Sequence, residues 1–556
     1  MARILNVYTI SIFAALGGIL FGFDIASIAG IIDTDQYKYF YGNPLGTRQG
    51  IITAAMAAGS LAGALSSGVL GDLLSRKGAI QVGTIFWCIG AALQSASTGV
   101  GMLIAGRAIA GLCIGLTSTL VPIYQSEIAP RKIRGRIVSF QYFALTLGIL
   151  IQYFIEYGCS FLESEAAFRL PWAIQAVPGI ILFIGLFFLP FSPRWLASRD
   201  RWEEALSVLA FLRTTTKDIN NPLVLAEYRE IEDQVRFERQ EASDSLHELF
   251  SKKLRKRVVL AIAIQMWFQL SGANVLNYYI LYIFESARVP NSKFAASIQY
   301  IIKVVMSVPT IVWSDKWGRR PILLIGALVF ASWLFAIGGL LWQYGEPNPN
   351  SDQPYSWIVV GHPNVTRAIQ ACCYLATATF AMSWGPVSWI YTPEVVPLRI
   401  RAKSVSMAIA TNWLTNFGLG FAFPPLFRSI RWRVFFILGS FNIAAFINVW
   451  FAAPETKQHT LEEMDEIFEH GQPPWTSFLN WKETNRLDLL AQDIEMGNMM
   501  IRQLRDVGTC DDHNTRLVFF SKYRREIYLL SGFLLRYPAS IAPPWLVHAR
   551  SRLYTA

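Results

Sequence analysis

At about 150 residues per domain, 556 residues would make three or four soluble domains. Hydrophobic residues form 53% of the chain and charged ones 16%, against about 25% charge in soluble domains, and the mean hydropathy is +0.34. That excludes a string of soluble domains, a disordered chain, a collagen and a secreted disulfide scaffold, and leaves a membrane protein.

Twelve apolar runs approach the roughly 20 residues that a spanning helix needs. Six are centred on 8–31, 50–70, 79–97, 101–124, 137–158 and 171–190, and six on 258–284, 294–313, 321–343, 367–391, 402–425 and 433–453. The polar stretch between them carries helix-like charge patterns such as AEYREIEDQVRFERQ. The expected plan is an all-α membrane protein of two pseudo-symmetric six-helix bundles, 1–190 and 258–453. A cytoplasmic helical linker, 191–257, joins them, and a cytoplasmic tail, 454–556, follows.

The first run exceeds a secretory h-region, contains Asp24 and closes on no A-x-A-like site, so it reads as an uncleaved anchor. With the N-terminus inside, inner loops hold about 25 Lys and Arg and outer loops about 8, which matches the positive-inside rule. The net charge of +10 therefore reports topology, and no nucleic-acid partner is expected. The basic 426–433 turn, placed outside, is the exception. Asn364-Val365-Thr366 forms a glycosylation sequon on the outer side, too close to the next span to expect its use. The six cysteines have no CxxC or metal-ligand spacing and read as packing residues; no metal or cofactor is expected.

The chain repeats at an offset of roughly 243 to 267 residues. GDLLSRK (71–77) returns as SDKWGRR (314–320), YQSEIAPRKIRGR (124–136) as YTPEVVPLRIRAK (391–403), and PFSPRW (190–195) as PETK (454–457). Duplicated six-helix halves suit a transporter in which one half rocks against the other around a midplane site. Charges at span ends can simply mark topology; three pairs in register favour a gate that bridges the halves on the cytoplasmic side. The gate candidates are Asp72, Glu127, Arg134, Arg136, Arg194, Asp315, Arg319, Arg320, Glu394 and Arg401.

Further strings extend the pattern: GGILFGFDIASIAG (17–30), GRAIAG (106–111), QLSGANVLNYY (269–279), WGPVSWIYTPE (384–394) and PETKQHTLEEMDEIF (454–468). With PFSPRWL and DKWGRRP, they resemble the sugar porter family of the major facilitator superfamily, particularly fungal hexose and proton symporters. The likeness spans almost all of residues 8–490. From about 500 onward the sequence departs from it, and 528–547 is too short and Pro-interrupted for a thirteenth span.

A carboxylate near mid-span costs at least about 2.5–3.5 kcal/mol, so Asp24 reads as a group that takes and releases a proton, with Arg107 as counter-charge. The resemblance implies the same roles, Asp24 falling on the proton-coupling aspartate of the symporters. One charge crossing 100 mV is worth about 2.3 kcal/mol and tenfold accumulation costs about 1.4, so one proton sustains roughly fiftyfold accumulation. A sugar needs several fixed hydrogen-bond partners and an apolar ring face. The seventh span offers Gln269, Asn274, Asn277, Tyr278 and Tyr279 around Ser271-Gly272; the tenth offers Trp384 and Trp389 about a natural break at Gly385-Pro386; the eleventh offers Asn412, Trp413 and Asn416. The resemblance puts Gln269, Asn274, Tyr278, Tyr279, Trp389, Asn412 and Asn416 on sugar-contact or gating positions.

Departures from the family pattern fall in the same region. Phe268 stands where a second Gln is usual, Tyr142 takes a fifth-span Gln position with Gln141 just before it, and Lys303 replaces an eighth-span Asn. Gln141 and Lys303 are retained as candidate substrate contacts. Phe191 replaces a Glu, and GDLLSRK lacks the usual Arg. The spans hold no nucleophile–base pair, metal cluster or phosphate loop, so an enzyme is not expected. The reading is a monosaccharide (hexose or pentose) carrier coupled to protons, working as a monomer in the plasma membrane with both termini cytoplasmic; a proton-independent facilitator and a non-transporting sugar sensor are the alternatives.

Overall fold

Lipid offers backbone groups no hydrogen-bond partners, so a long apolar run crosses it as a helix that satisfies its own N–H and C=O groups. The computed structural model describes residues 7–32, 34–44, 46–130, 133–214, 217–241, 254–349, 355–397, 400–457 and 468, and among these the spans are helical. Ten helical segments are long and apolar enough to cross a membrane: Val7–Ala29, Thr47–Leu73, Ser75–Ser95, Val100–Ile128, Arg134–Cys159 and Ala166–Leu186 in the first half, and Arg255–Tyr278, Ser292–Trp313, Arg319–Tyr344 and Arg433–Ala452 in the second. The tenth position holds Pro363–Met382 followed by Trp384–Val395, and the eleventh Arg401–Ser429. The eleventh carries Arg401, Lys403, Asn412, Asn416 and Arg428, which dilutes its apolar character. An antiparallel pair, Gly345–Pro347 with Trp357–Val359, lies between the ninth and tenth spans. Arg431 stacks over Trp357, and the Ser356 hydroxyl donates to Arg428 O, so the basic 426–433 turn packs beside this pair.

The packing repeats as the sequence does. The first span lies on the fifth, the third on the fourth and sixth; correspondingly the seventh lies on the eleventh and the ninth on the tenth and twelfth. The halves meet along two seams related by the same repeat, second span on eleventh and fifth on eighth. Small residues set the close approaches. A Cβ at Gly59 or Gly63 would run into the backbone of Ala108 or Leu112 on the fourth span, and one at Gly111 or Gly115 into Met56 or Ser60 on the second, the small-xxx-small packing of membrane helices. Large apolar side chains such as Leu65, Val69, Ile180, Ile184, Phe188 and Ile325 are exposed on the outer surface, where lipid solvates them.

By packing, the described residues of both bundles form one unit, and 209–214 with 217–234 belong to a second. In the smaller one, Arg213 and Glu227 form a bidentate ion pair at 2.6 and 2.7 Å. Described cysteines are free, with Cys113, Cys159 and Cys373 buried; Cys510 and the tail past 457, Phe468 apart, lie outside the described residues.

Candidate functional site

The seventh span breaks where glycine allows it. Its helix Arg255–Leu270 gives way at Ser271-Gly272, with Gly272 at φ +89°, to Ala273–Tyr278, a left-handed conformation that side chains disfavour. The break turns a row of amides toward the eleventh span. Gln265 Nε2 donates to Thr392 Oγ1 (2.9 Å), Asn412 Nδ2 to Gln265 Oε1 (2.7 Å), and Gln269 Nε2 to Asn412 Oδ1 (2.8 Å). Gln269 Oε1 accepts from Asn274 Nδ2 (2.9 Å) and Asn416 Nδ2 (3.2 Å). Asn277 Nδ2 donates to Asn274 Oδ1 (2.9 Å), and Lys303 Nζ to Asn277 Oδ1 (3.2 Å). One continuous chain of side-chain hydrogen bonds thus joins four spans. Tyr278 adds its hydroxyl to Asn416 Oδ1 at 3.3 Å. Gln265, absent from the sequence expectation, is a full member; its place one turn before Gln269 on the same helix face was the available signal.

The tenth span also breaks, just ahead of the Gly385-Pro386 pair. Pro386 cannot donate to Met382, the carbonyl four residues back; the helix ends there, Ser383 leaves helical geometry, and Thr310 Oγ1 takes the freed Met382 carbonyl at 3.0 Å. Trp389 then projects between Phe21 (6.2 Å) and Phe268 (6.0 Å), its indole N–H without an acceptor among the described residues. Phe21 lies also 4.9 Å from Trp413, whose Nε1 donates to Ser118 Oγ of the first half. Phe268 thus supplies apolar surface where the second amide is missing. Gln141 turns back to Thr117 O at 3.5 Å, while Tyr142 lies against Gly385 across the seam with its hydroxyl unpartnered. Tyr279 donates to Gly420 O and stacks on Tyr282 and Phe423. Lys303 is buried, with Asn277 as its hydrogen-bond partner and no carboxylate in ion-pairing range among the described residues.

Asp24 and Arg107 do meet, and both are fully buried. Arg107 Nη1 stands 3.8 Å from Asp24 Oδ1 and donates to Ser27 Oγ (3.1 Å), while the Ser27 hydroxyl donates to Asp24 O (2.8 Å). Among the described residues, neither carboxylate oxygen of Asp24 accepts a hydrogen bond, and Arg107 Nε has no acceptor.

The gate candidates cluster within each half. Arg76 pairs with Asp72 and Glu127, each at 3.1 Å, and Ser192 Oγ donates to Glu127. Arg319 grips Glu394 bidentately at 3.0 and 3.1 Å, and Thr456 Oγ1 donates to Glu394 at 2.7 Å. Tyr124 donates to Pro190 O and Tyr391 to Pro454 O, both at 2.8 Å. Tyr391 and Glu394 each follow Tyr124 and Glu127 by 267 positions, so the two clusters are one design used twice. Arg76 supplies the cation that GDLLSRK was expected to lack, and Phe191, in place of a Glu, receives Lys77 Nζ over its ring at 4.4 Å. Glu455 collects the backbone N–H groups of Arg319 and Arg320, and Arg320 also bonds Trp450 O. Ser126 and Arg134 line one narrow cleft with Ile390, Pro393, Glu394 and Arg401 of the other half. Arg136 and Arg194 are half-buried; the Asp315 side chain lies outside the described residues. At the opposite end a cavity of about 250 Å³ opens between Gln49, Tyr282, Pro424 and Arg428. Among the described residues no three His, Cys, Asp or Glu gather as a metal site.

Two six-helix halves closing around a buried polar chain, with mirrored charge clusters at one end, define a multi-pass membrane transporter. The family model described as "Sugar (and other) transporter" matches residues 10–468, and the chain belongs to that family, within the major facilitator fold. The chain is 47% identical over 513 residues to the MFS glucose transporter mfs1 of Aspergillus flavus, covering 90% of this chain and 96% of that one. It is 32% identical to the high glucose sensor RGT2 of Saccharomyces cerevisiae, covering 94% of this chain and 68% of the sensor. The proton:xylose symporter XylE bound to 6-bromo-6-deoxy-D-glucose superposes with a TM-score of 0.71 at 26% identity, over 83% of this chain and 99% of that one.

Proposed function

We propose that this chain carries a monosaccharide, a hexose or pentose, together with a proton by alternating access. The transport names of its relatives and the amide chain support a sugar: the chain of amides supplies donors and acceptors to hydroxyls, and Trp389 with Phe21 and Phe268 supplies the ring face. The observation that carries the coupling is the shared first span. Phe21 packs on Trp389 and Trp413 of the sugar site, and Asp24, one turn further, faces Arg107 without a hydrogen bond. Tyr278, bonded to Asn416, lies within the electrostatic reach of both Asp24 and Arg107. Protonating Asp24 cancels its attraction to Arg107 and loosens the first span on the fourth, leaving the Arg107–Ser27 hydrogen bond as their remaining polar tie; sugar bound against Phe21 then moves with it.

In this reading 1–190 and 258–453 are the rocking bodies, 191–257 is the linker between them and 454–556 the tail. Both termini are cytoplasmic, the membrane is the plasma membrane, and the working unit is a monomer. The test is uptake of labelled hexoses, pentoses, polyols and sugar acids in a transporter-deficient yeast strain, with and without a protonophore. Concentrative uptake abolished by the protonophore is expected. Uptake that only equilibrates and ignores the protonophore overturns the role of Asp24, and no uptake by protein at the cell surface favours the sensor.

A further inference from the structure

The first half buries a second acid that the mechanism above does not use. Glu156, at the end of the fifth span remote from the Arg76–Glu127 cluster, is 2% exposed. Its Oε2 accepts the Gly30 N–H at 2.9 Å and its Oε1 the Gln152 amide at 3.0 Å. Gly30 closes the helix that carries Asp24, and any side chain at Gly30 would collide with Glu156. The groups whose fields reach Glu156 are Arg107 of the fourth span, Tyr300 of the eighth, and Cys159 on its own helix. Among the described residues none of the cations pairs with it.

A purely structural tie would need no acid. A glutamine at 156 could accept the Gly30 N–H through its carbonyl and donate to Gln152 Oε1, which has no partner among the described residues. The same free oxygen gives Glu156 a partner in both protonation states. The Gln152 NH2 donates to the carboxylate; turned over, its carbonyl accepts from the carboxylic acid. What the acid adds over the amide is an exchangeable proton. Asp24, Ser27 and Gly30 follow one another at three-residue steps, six residues span about 9 Å of helix, and the buried Ser27 hydroxyl stands midway along it.

Building on the proton-coupled reading, we propose that Glu156 is a second proton-carrying group, loading at the Gly30 end of the bundle and delivering to Asp24. The carboxylate of Glu156 takes a proton from water at that end. Its transfer regenerates the Glu156 carboxylate and leaves Asp24 neutral.

Purified protein in liposomes, given D-glucose, separates the outcomes: a pH-sensitive dye reads sugar-driven proton uptake, and labelled-sugar counterflow reads exchange without net proton transfer. Glu156→Gln is expected to cut proton uptake at least tenfold while counterflow stays within twofold of wild type, and Glu156→Asp to restore part of the proton uptake. No proton uptake by the wild type sinks the symport reading and this proposal with it. Unchanged proton uptake in Glu156→Gln overturns this proposal alone. So does equal loss of uptake and counterflow without rescue by Glu156→Asp, which would leave Glu156 a structural tie.

Discussion

Asp24 and Arg107 stand 3.8 Å apart, and the bonding capacity of neither is filled. A buried ion pair offsets its desolvation only with close geometry and further hydrogen bonds, so this one is held weakly and is easily exchanged for a neutral acid. Asp24→Asn removes the titration and keeps the size; accumulation should fall to a ratio of about one while counterflow persists, as labelled-sugar uptake in energised cells or vesicles would report. Gln269 is the hub of the amide chain, bonded to Asn412, Asn274 and Asn416. Gln269→Ala leaves those partners unpaired at about 1–3 kcal/mol each, so the half-saturating sugar concentration should rise at least tenfold in the same assay. Asp24, Arg107 and most of the amides were legible in the sequence because a polar group in an apolar run is costly and stands out. Glu156 was not, since IQYFIEYGC reads as a span leaving the membrane and only the approach of Gly30 buries it. Arg76 stands four residues after Asp72 as Arg319 stands four after Asp315; what the matched strings did not show is that each arginine turns to the glutamate of its own half.

The broken helices, more than any single side chain, make the site. An unbroken seventh span would keep its backbone groups internal and its amides spread around the helix; the turn at Gly272 redirects Asn274 and Asn277 beside Gln269. Gly272→Ala places a Cβ 2.8 Å from Leu438 Cδ1 and forces a side chain to adopt φ +89°. The backbone preference is worth about 1 kcal/mol or more, so the melting temperature in detergent should drop by a few degrees and uptake should fall several-fold. That break was predictable from the glycine. The break in the tenth span lies at Ser383 rather than within Gly385-Pro386, because proline interrupts the turn before itself. The weak apolar character of the tenth and eleventh helices comes from the polar residues that serve the site, so function itself blurs the membrane signal there.

At the scale of the whole molecule, the internal repeat governs both packing and chemistry. Tyr124–Pro190 and Tyr391–Pro454, with Glu127 and Glu394 beside them, are equivalent ties on the same side of two halves, and the seams between the halves are equivalent as well. The sequence carried this in three matched strings; it could not carry which residues touch across the seam, since that depends on the angle at which the halves meet. One such contact lies toward the gate end, where Ser406 Oγ donates to Ala64 O at 2.5 Å. Alternating access requires this contact to part in every cycle, whereas a receptor that signals without transport does not. Cysteines at both positions, Ala64→Cys with Ser406→Cys in a background lacking the native cysteines, place two thiols at this contact, where a disulfide, with Cα atoms about 4.4–6.8 Å apart, would lock the seam. Oxidation is expected to stop transport almost completely and a reductant to restore it, with each single substitution insensitive to both. Transport that continues at an undiminished rate with the disulfide demonstrably formed, by mass spectrometry of the linked peptides, would mean that the two halves do not separate along the second and eleventh spans.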